Sequence, residues 1–367
     1  MRPPCRALID LGALTRNVGL LRDRTDAEVM AIVKADGYGH GAVRSAAAAV
    51  AGGASRLGIA HASEALSLLG ELPEVPIFSW IFGAGSDLAP AVDAGIELSA
   101  GAPWAVEAIA AGARTAGRTA RVHLALDSGM AREGARIEQW DELVAVALAE
   151  RRIEVVGIWS HLACADEPGS HETVRQTELF IDAVTRAERA GATPEMRHLA
   201  NSAGTLWHPE THFEVVRPGI SLYGLAPDGS NPAEHGLSPV MRLEAELVSV
   251  REVPAATPVS YGGTATVGPT RLGTVPLGYA DGAPRQASGR GAWVSVEGHR
   301  AEVVGRICMD QFVVDLGPES TARAGDTVTV FGAGPGDPGV DDWARAADTV
   351  NYTITTSLGP RVPREYV

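Results

Sequence analysis

An alternation of short β-rich runs with alanine-rich amphipathic stretches, extending to about residue 225, constrains the fold of this chain most strongly. This alternation is typical of repeated βα units around a parallel sheet. Because eight parallel strands close a barrel, we predict an α/β fold of the (β/α)8 TIM-barrel type. The candidate strands are 28–34, 56–60, 76–80, 96–100, 121–127, 153–160, 195–200 and, as the eighth, either 220–225 or 213–216.

The segments between these runs predict helices that cover the outside of the barrel. The clearest are 41–51, 138–152 and 172–191, which are long and carry apolar residues at helical spacing.

The pattern changes after about residue 237, where short segments rich in Val, Thr and Arg are broken by Gly and Pro. This texture is typical of a β domain, and 341–350 predicts a helix within it. We therefore predict a barrel over residues 11–237 and a mostly-β C-terminal domain over 238–367. Residues 1–10 are expected to pack with that second domain.

Composition excludes several classes of protein. The formal net charge of -14, from 31 basic and 45 acidic residues, argues against a nucleic-acid surface, which needs clustered Lys and Arg. Cys5, Cys164 and Cys308 form no CxxC pair, so we expect neither disulfides nor a thiolate zinc site. Asp10 interrupts the apolar core that a signal peptide needs, and no apolar run of about 18 residues follows. We expect a cytoplasmic protein with a small ligand and no membrane partner.

Histidine spacing gives no support for a metal site. The ten histidines form no HxH or HExxH motif, and Pro209 disfavours a helix that presents both His208 and His212. We predict no catalytic metal.

Unusual polar residues lie at or just past the ends of the predicted strands, which is the end of a TIM barrel where chemistry is done. Lys34 ends the apolar run 28–34, and an amine in an apolar setting has a lowered pKa that suits a Schiff-base nucleophile. The alternative is a strand-end lysine whose amine reaches solvent. The other polar residues at this end are Arg132, which follows Asp127, and His161, Asn201, Ser202 and Arg217.

The segment VKADGYGHGA (33–42) resembles the pyridoxal-phosphate (PLP) attachment motif of the alanine racemases and their barrel-type relatives. Its glycines allow a tight turn beside a bulky cofactor. The resemblance recurs in order along nearly the whole chain. The further segments are LDSGMAREG (126–134), HLANSAG (198–204), VRPGISLYGL (216–225), VSYGGTAT (259–266), PLGYADG (276–282), GRICMDQ (305–311) and the C-terminal stretch 349–367.

The resemblance implies that the enzyme is an isomerase that racemises alanine, and that Lys34 binds PLP covalently and then acts as acid or base on one face of the substrate. Racemisation needs a second group on the other face, for which Tyr261 is the family's candidate. A phenol needs nearby positive charge to act as a base near neutrality. The resemblance places Arg132 beside both the phenolic oxygen and the substrate carboxylate. Taken alone, Tyr261 is better explained as a turn tyrosine, and Arg132 as a solvated loop arginine.

Arg217 is implied to hydrogen-bond the pyridine nitrogen of the cofactor. Because Arg stays protonated, it cannot hand that nitrogen a proton, so the ring remains a weaker electron sink. Barrel-type PLP decarboxylases place a carboxylate there, so Arg217 counts against decarboxylation. His161 is implied to orient Arg217 by a hydrogen bond or to stack on the ring, although a strand-end histidine is often structural.

The remaining implied contacts concern the phosphate and the substrate. The phosphate would be bound by Ser202, Gly219, Ile220 and Tyr352, with the hydroxyl of Tyr38 nearby. A backbone amide at Met309 would bind the substrate carboxylate.

Two positions depart from the family pattern. Many members carry a carbamylated lysine seven residues before the arginine, where this chain has Ala125. Something else must then balance the charge of Arg132. Ala265 also replaces a frequent aromatic residue after Tyr261. These changes bear on substrate range and rate.

Lys34 and Tyr261 fall in different predicted domains, and the family completes each site with the tyrosine and the Met309 loop of a partner subunit. We therefore expect a homodimer with composite sites, which supplies D-alanine for peptidoglycan. The alternatives are a racemase for serine or basic amino acids, a PLP decarboxylase, or a PLP carrier protein, which would not need the second domain.

Overall fold

The first strand of the chain belongs to the C-terminal sheet rather than to the barrel. The computed structural model describes residues 3–167 and 169–367, so Met1 and Arg2 of the predicted segment 1–10 lie outside the described residues. Strand β1 (Cys5–Ile9) is followed by helix α1 (Leu11–Arg22). The Asp10 carboxylate accepts a hydrogen bond from the Ala13 N–H at 2.8 Å, which caps that helix.

Eight parallel strands form a nearly closed barrel in the order β8-β7-β6-β5-β4-β3-β2-β9. This arrangement confirms the predicted fold class. The strands are β2 (Glu28–Ile32), β3 (Arg56–His61), β4 (Ile77–Ile81), β5 (Glu97–Ala100), β6 (Ala120–Ala125), β7 (Ile153–Trp159), β8 (Met196–His198) and β9 (Val215–Val216).

The eighth strand lies within 213–216, and the alternative 220–225 is wrong as a strand. Strand β9 pairs with β2, whereas Ile220–Tyr223 forms a 3-10 helix. Pro218 has no N–H to continue a ladder, and Gly219 takes φ -119 and ψ -85, which turns the chain out of the strand direction.

Helices surround the barrel, and the three predicted helices are present with shifts of a few residues at their ends. The Trp140 ring is buried between two of them and donates to the Ala183 carbonyl at 2.7 Å. After α1 the helices are α2 (Lys34–Tyr38), α3 (Ala42–Ala51), α4 (Ala62–Leu68), α5 (Ala89–Asp93), α6 (Pro103–Ala116), α7 (Ile137–Ala149), α8 (Glu172–Arg189) and α9 (Ser202–Trp207).

The C-terminal half is mostly β, as predicted. Its main sheet has nine strands in the order β11-β14-β17-β16-β15-β18-β10-β1-β19, and β12 and β13 form a separate hairpin. The strands are β10 (Met241–Glu246), β11 (Ser249–Val253), β12 (Thr257–Val259), β13 (Ala265–Val267), β14 (Thr270–Val275), β15 (Trp293–Val296), β16 (His299–Val304), β17 (Phe312–Asp315), β18 (Thr327–Phe331) and β19 (Arg364–Tyr366).

Two helices follow in this half, and the second of them contacts the barrel. Helix α10 (Val340–Ala347) includes most of the predicted segment 341–350, and α11 (Asn351–Thr356) lies against the turn α2. Arg364 donates to the Gly39 carbonyl at 2.9 Å across the same junction. No helix in the described part of the chain is both long and apolar enough to cross a membrane.

Candidate active site

A cavity of about 320 Å³ opens at the carboxyl ends of the barrel strands. Its volume lies at the lower end of the range for small-molecule sites. Nine residues predicted for the site line it: Lys34, Tyr38, Arg132, His161, Ser202, Arg217, Gly219, Ile220 and Tyr352. The other lining residues are Ile32, Ala35, Trp80, Trp159, Asn201 and Thr356.

The turn that carries Lys34 is wound left-handed. Ala35, Asp36, Gly37 and Tyr38 have φ values of 53°, 52°, 59° and 53°. Each residue other than glycine costs roughly 1–2 kcal/mol in this conformation. The Asp36 carboxylate helps to hold the turn by accepting from the Ala42 N–H at 2.9 Å. Backbone strain of this kind collects at functional sites, here directly after the lysine.

The amine of Lys34 is partly desolvated and has no anionic partner at close range. Burial lowers the pKa of Lys34, and the positive charge of Arg132 lowers it further, against a smaller opposing effect of Glu133. No described carboxylate lies within ion-pair distance of its Nζ, which sits 5.5 Å from the centre of the Trp80 ring. This environment increases the neutral, nucleophilic form of the amine.

Arg217 is buried beside the lysine and donates most of its hydrogen bonds to other groups of the protein. Its Nη1 donates to the His198 carbonyl at 2.7 Å and to His198 Nδ1 at 3.1 Å. Its Nη2 donates to the Ser160 carbonyl at 2.7 Å and reaches His161 Nδ1 and the Leu199 carbonyl, each at 3.3 Å. Burial lowers the pKa of Arg217 to about 9, so the group remains charged at neutral pH.

His161 lies on the outer side of Arg217, at the position where a hydrogen bond between the two was expected. Burial, followed by the charge of Arg217, lowers the pKa of His161 well below 6.5. The ring is therefore neutral at pH 7, and its Nδ1 can accept from the guanidinium.

In the same cavity as Lys34, hydroxyl and backbone groups form a small cradle. The Ser202 hydroxyl accepts from the Gly219 N–H at 2.8 Å, and the rings of Tyr38 and Tyr352 lie 6.1 Å apart. A Cβ at Gly219 would come within 2.3 Å of the Tyr38 hydroxyl, so only glycine fits there. Burial raises the pKa of Tyr38 and of Tyr352, so both phenols remain donors. The cradle suits an anion such as a phosphate group.

Glu133 provides a negative charge beside Arg132, at 2.9 Å from its guanidinium. Residue 125, where this chain departs from the family, is buried next to a small void that Arg132 and Glu133 also line. The carboxylate that partly balances Arg132 therefore comes from the neighbouring residue in the sequence.

Tyr261 and Met309 do not line the cavity of their own chain. Their exposed fractions are 71% and 52%, which are high for large apolar side chains. Ser260 joins the two loops, because its hydroxyl donates to the Arg306 carbonyl at 2.5 Å and lies 3.3 Å from the Cys308 sulfur. The two residues therefore share one exposed edge of the C-terminal half.

Two tryptophans in the wall of the cavity were not predicted. The Arg217 guanidinium lies 5.1 Å from the centre of the Trp159 ring, and Trp80 stands between that ring and Lys34. Periodicity alone does not separate such residues from ordinary core aromatics. One overlooked signal did mark the site, because Lys34 is the only lysine in the sequence.

Comparison with known proteins gives matches over the whole chain. The family model described as "Alanine racemase, N-terminal domain" matches residues 9–227, and "Alanine racemase, C-terminal domain" matches 240–366. The alanine racemase of Beutenbergia cavernae is 50% identical over 374 residues, covering 100% of this chain and 99% of that protein. The solved alanine racemase from Streptomyces lavendulae has a TM-score of 0.97 at 45% identity, covering 100% of this chain and 98% of that one.

A second solved structure contains a cofactor. The alanine racemase from Bartonella henselae, solved with covalently bound pyridoxal phosphate, has a TM-score of 0.89 at 28% identity, and each chain is covered completely.

Proposed function

The chain belongs to the alanine racemase family, and from this premise we propose that it interconverts L-alanine and D-alanine with PLP bound at the barrel mouth. One observation carries the proposal. The only amine-bearing side chain of the protein enters a cavity that also holds a charged guanidinium and a cradle for an anion.

The residues present fit PLP, which has a phosphate, an acceptor ring nitrogen and an electrophilic carbonyl carbon. Lys34 would hold the carbonyl carbon covalently, and Arg217 would donate to the ring nitrogen. When bound, PLP withdraws electrons from the substrate Cα and so makes the Cα proton acidic. The phosphate would be held by Ser202, Gly219, Ile220, Tyr352 and the hydroxyl of Tyr38.

Lys34 is proposed to move the proton on one face of the substrate. Because its pKa is lowered, more of the amine is neutral than in a solvated lysine, and a neutral amine can accept a proton at Nζ and return it. Arg132 would bind the substrate carboxylate and orient Cα toward that amine. Glu133 holds the Arg132 guanidinium and limits its rotation.

Arg217 is proposed to favour racemisation over other PLP reactions. A guanidinium would donate a hydrogen bond to the ring nitrogen without transferring a proton, which would leave the ring a weaker electron sink. His161 would hold Arg217 from the outer side.

The acid or base that moves the proton on the opposite face is proposed to come from a second copy of this chain. Tyr261 and Met309 are exposed on one edge and absent from their own cavity, which fits a head-to-tail homodimer. Tyr261 of the partner subunit would supply the second acid or base, and the partner's Met309 would donate a backbone N–H to the substrate carboxylate.

The reaction is tested by incubating the protein with PLP and L-alanine in deuterated water. Exchange of the Cα proton, together with loss of optical rotation, is expected. A panel of other L-amino acids measures specificity, and faster turnover of serine or lysine than of alanine would contradict the proposed substrate.

The composite site is tested by mixing two inactive variants. Lys34→Ala and Tyr261→Phe subunits, unfolded together and refolded, should form heterodimers that each hold one intact site. Recovery of activity is expected, and the separately refolded variants serve as controls. A mixture that forms dimers but stays as inactive as the controls would contradict sharing of sites between subunits.

A further inference from the structure

Beneath the cavity, the barrel interior contains a row of buried polar side chains that the reaction itself does not touch. Glu97 on β5, His123 on β6 and His198 on β8 are buried to within 2% of full burial. His198 Nδ1 lies 3.1 Å from Arg217 Nη1, and His198 Nε2 lies 2.7 Å from His123 Nδ1. His123 Nε2 then lies 3.0 Å from a Glu97 oxygen. We call Glu97, His123 and His198 the buried relay.

Both imidazoles of the buried relay are neutral. Burial lowers the pKa of His123, and burial together with the charge of Arg217 lowers the pKa of His198 well below 6.5. Burial acts to raise the pKa of Glu97, but the hydrogen bonds from His123 and Arg121 and the nearby positive charge together outweigh it and lower the value to about 2. The relay therefore ends in an ionised carboxylate.

Only one placement of protons satisfies all three contacts. A guanidinium can only donate, so His198 Nδ1 accepts from Arg217, and a neutral ring must then carry its proton on Nε2. That Nε2–H donates to His123 Nδ1, which leaves the His123 proton on Nε2, facing Glu97. A carboxylate can only accept, so the same assignment follows when the row is followed from the other end.

The relay determines which N–H of Arg217 remains free. Both hydrogens on Nη1 are used by the Nδ1 and the carbonyl of His198, and those on Nη2 are shared among the Ser160 carbonyl, the Leu199 carbonyl and His161 Nδ1. The Nε–H makes no hydrogen bond to any described residue, and Arg217 lines the cavity. Among the described contacts, the Nε–H is thus the one donor of this side chain that stays free.

We propose that Glu97, His123 and His198 are positioning residues that engage the Nη1 hydrogens of Arg217 and so leave its Nε–H for an acceptor ring nitrogen in the cavity. Through this row of contacts, a carboxylate at the amino end of the barrel would fix which donor of Arg217 meets the ring nitrogen. This inference rests on the proposed function, because it names what the relay does for that same site.

The proton assignment can be measured without cofactor or substrate. Histidine ¹⁵N NMR distinguishes a protonated from an unprotonated ring nitrogen, and the signals are assigned by their loss in His123→Asn and His198→Asn. Both rings are expected as neutral Nε2–H forms that do not titrate across the neutral pH range. An imidazolium, or an Nδ1–H form at either position, would overturn the proposal.

The functional consequence is tested with Glu97→Gln, which keeps the shape of the side chain and removes its charge. We expect kcat to fall roughly ten- to a hundredfold, as when residues that orient a ligating group are removed. The KM for alanine should stay within about twofold, because the relay acts on the ring and not on the substrate carboxylate. The visible absorption band of the PLP-loaded protein should shift.

Glu195→Gln is the matched control, since Glu195 pairs with Arg121 at 2.7 Å at the same end of the barrel but is half exposed and outside the relay. It should keep kcat and KM within about twofold of the wild type. Equal behaviour of the two variants would refute the positioning role. Should Glu97→Gln fail to fold, the NMR measurement on the wild type decides alone. Absence of Cα exchange in the wild type would reject the proposed function and leave the proton assignment standing.

Discussion

The two ends of the barrel use charged residues in opposite ways. At the amino end, Arg56 pairs with Glu97 at 3.1 Å, and Arg121 pairs with the same carboxylate at 2.9 Å. At the carboxyl end, no described carboxylate lies within ion-pair distance of Lys34 or Arg217. Charged side chains that form ion pairs hold strands together, whereas unpaired ones can bind a ligand. The comparison matches the usual division of a TIM barrel into a stability face and a catalytic face.

The largest expected effect comes from removing the amine at the carboxyl end. Lys34→Ala should lower the rate of Cα-proton exchange at least about a thousandfold, because no other side chain can replace the nucleophile. Borohydride reduction of the PLP-loaded wild type should attach the cofactor to the peptide containing Lys34, as mass spectrometry would show. Labelling of any other peptide at comparable yield would contradict this role.

Removing the central carboxylate at the amino end should affect stability most. Glu97→Ala leaves Arg56 and Arg121 without their shared partner and His123 without an acceptor, at a cost of about 3–5 kcal/mol for breaking a buried pair. The free energy of unfolding from urea titrations measures this loss. A cost equal to that of an exposed charge would show that the amino end is not the stabilising face.

A smaller effect should appear as a pH dependence of stability at the carboxyl end. Because the folded pKa of Lys34 is lowered, the unfolded chain binds more protons between that lowered value and about 10.5, so Lys34 makes stability rise with pH there. Lys34→Met should remove this rise and stabilise the cofactor-free protein on the acid side of the window. The measurement is the urea midpoint of the wild type and of Lys34→Met at several pH values. If Lys34 were fully solvated, the two proteins would show the same dependence of the midpoint on pH.

The smallest effect is expected for an exposed charge at the amino end. Glu154 reaches Arg121 only at 3.7 Å and is half exposed. Glu154→Ala should change the free energy of unfolding by under about 0.5 kcal/mol. Measured beside Glu97→Ala, it separates the effect of burial from that of charge, and a loss of several kcal/mol would contradict that separation.

Much of the scaffold could be predicted because local patterns carry it. The β-rich runs and the three long helices of the barrel follow from burial at a regular spacing, and Lys34 follows from its place at a strand end. Strand eight could not be decided in this way, because 213–216 and 220–225 are both apolar. What distinguishes the two segments is that only residues within 213–216 pair with β2 in the folded barrel.

The buried relay was missed for a related reason. His123 and His198 belong to two predicted strands and Glu97 begins another, so each resembles an isolated polar residue of a strand. Their role is visible only from their contacts with one another, and they are separated by up to about a hundred residues along the chain.

The amino-acid sequence by itself determined the alternating elements, the family resemblance and the set of reactive side chains, since these depend on residue type and near-neighbour spacing. Only the tertiary structure decided which of two segments forms the eighth strand, which donor of Arg217 stays free and which ring nitrogens carry protons. Those properties depend on hydrogen-bond distances between strands, and no local pattern contains them.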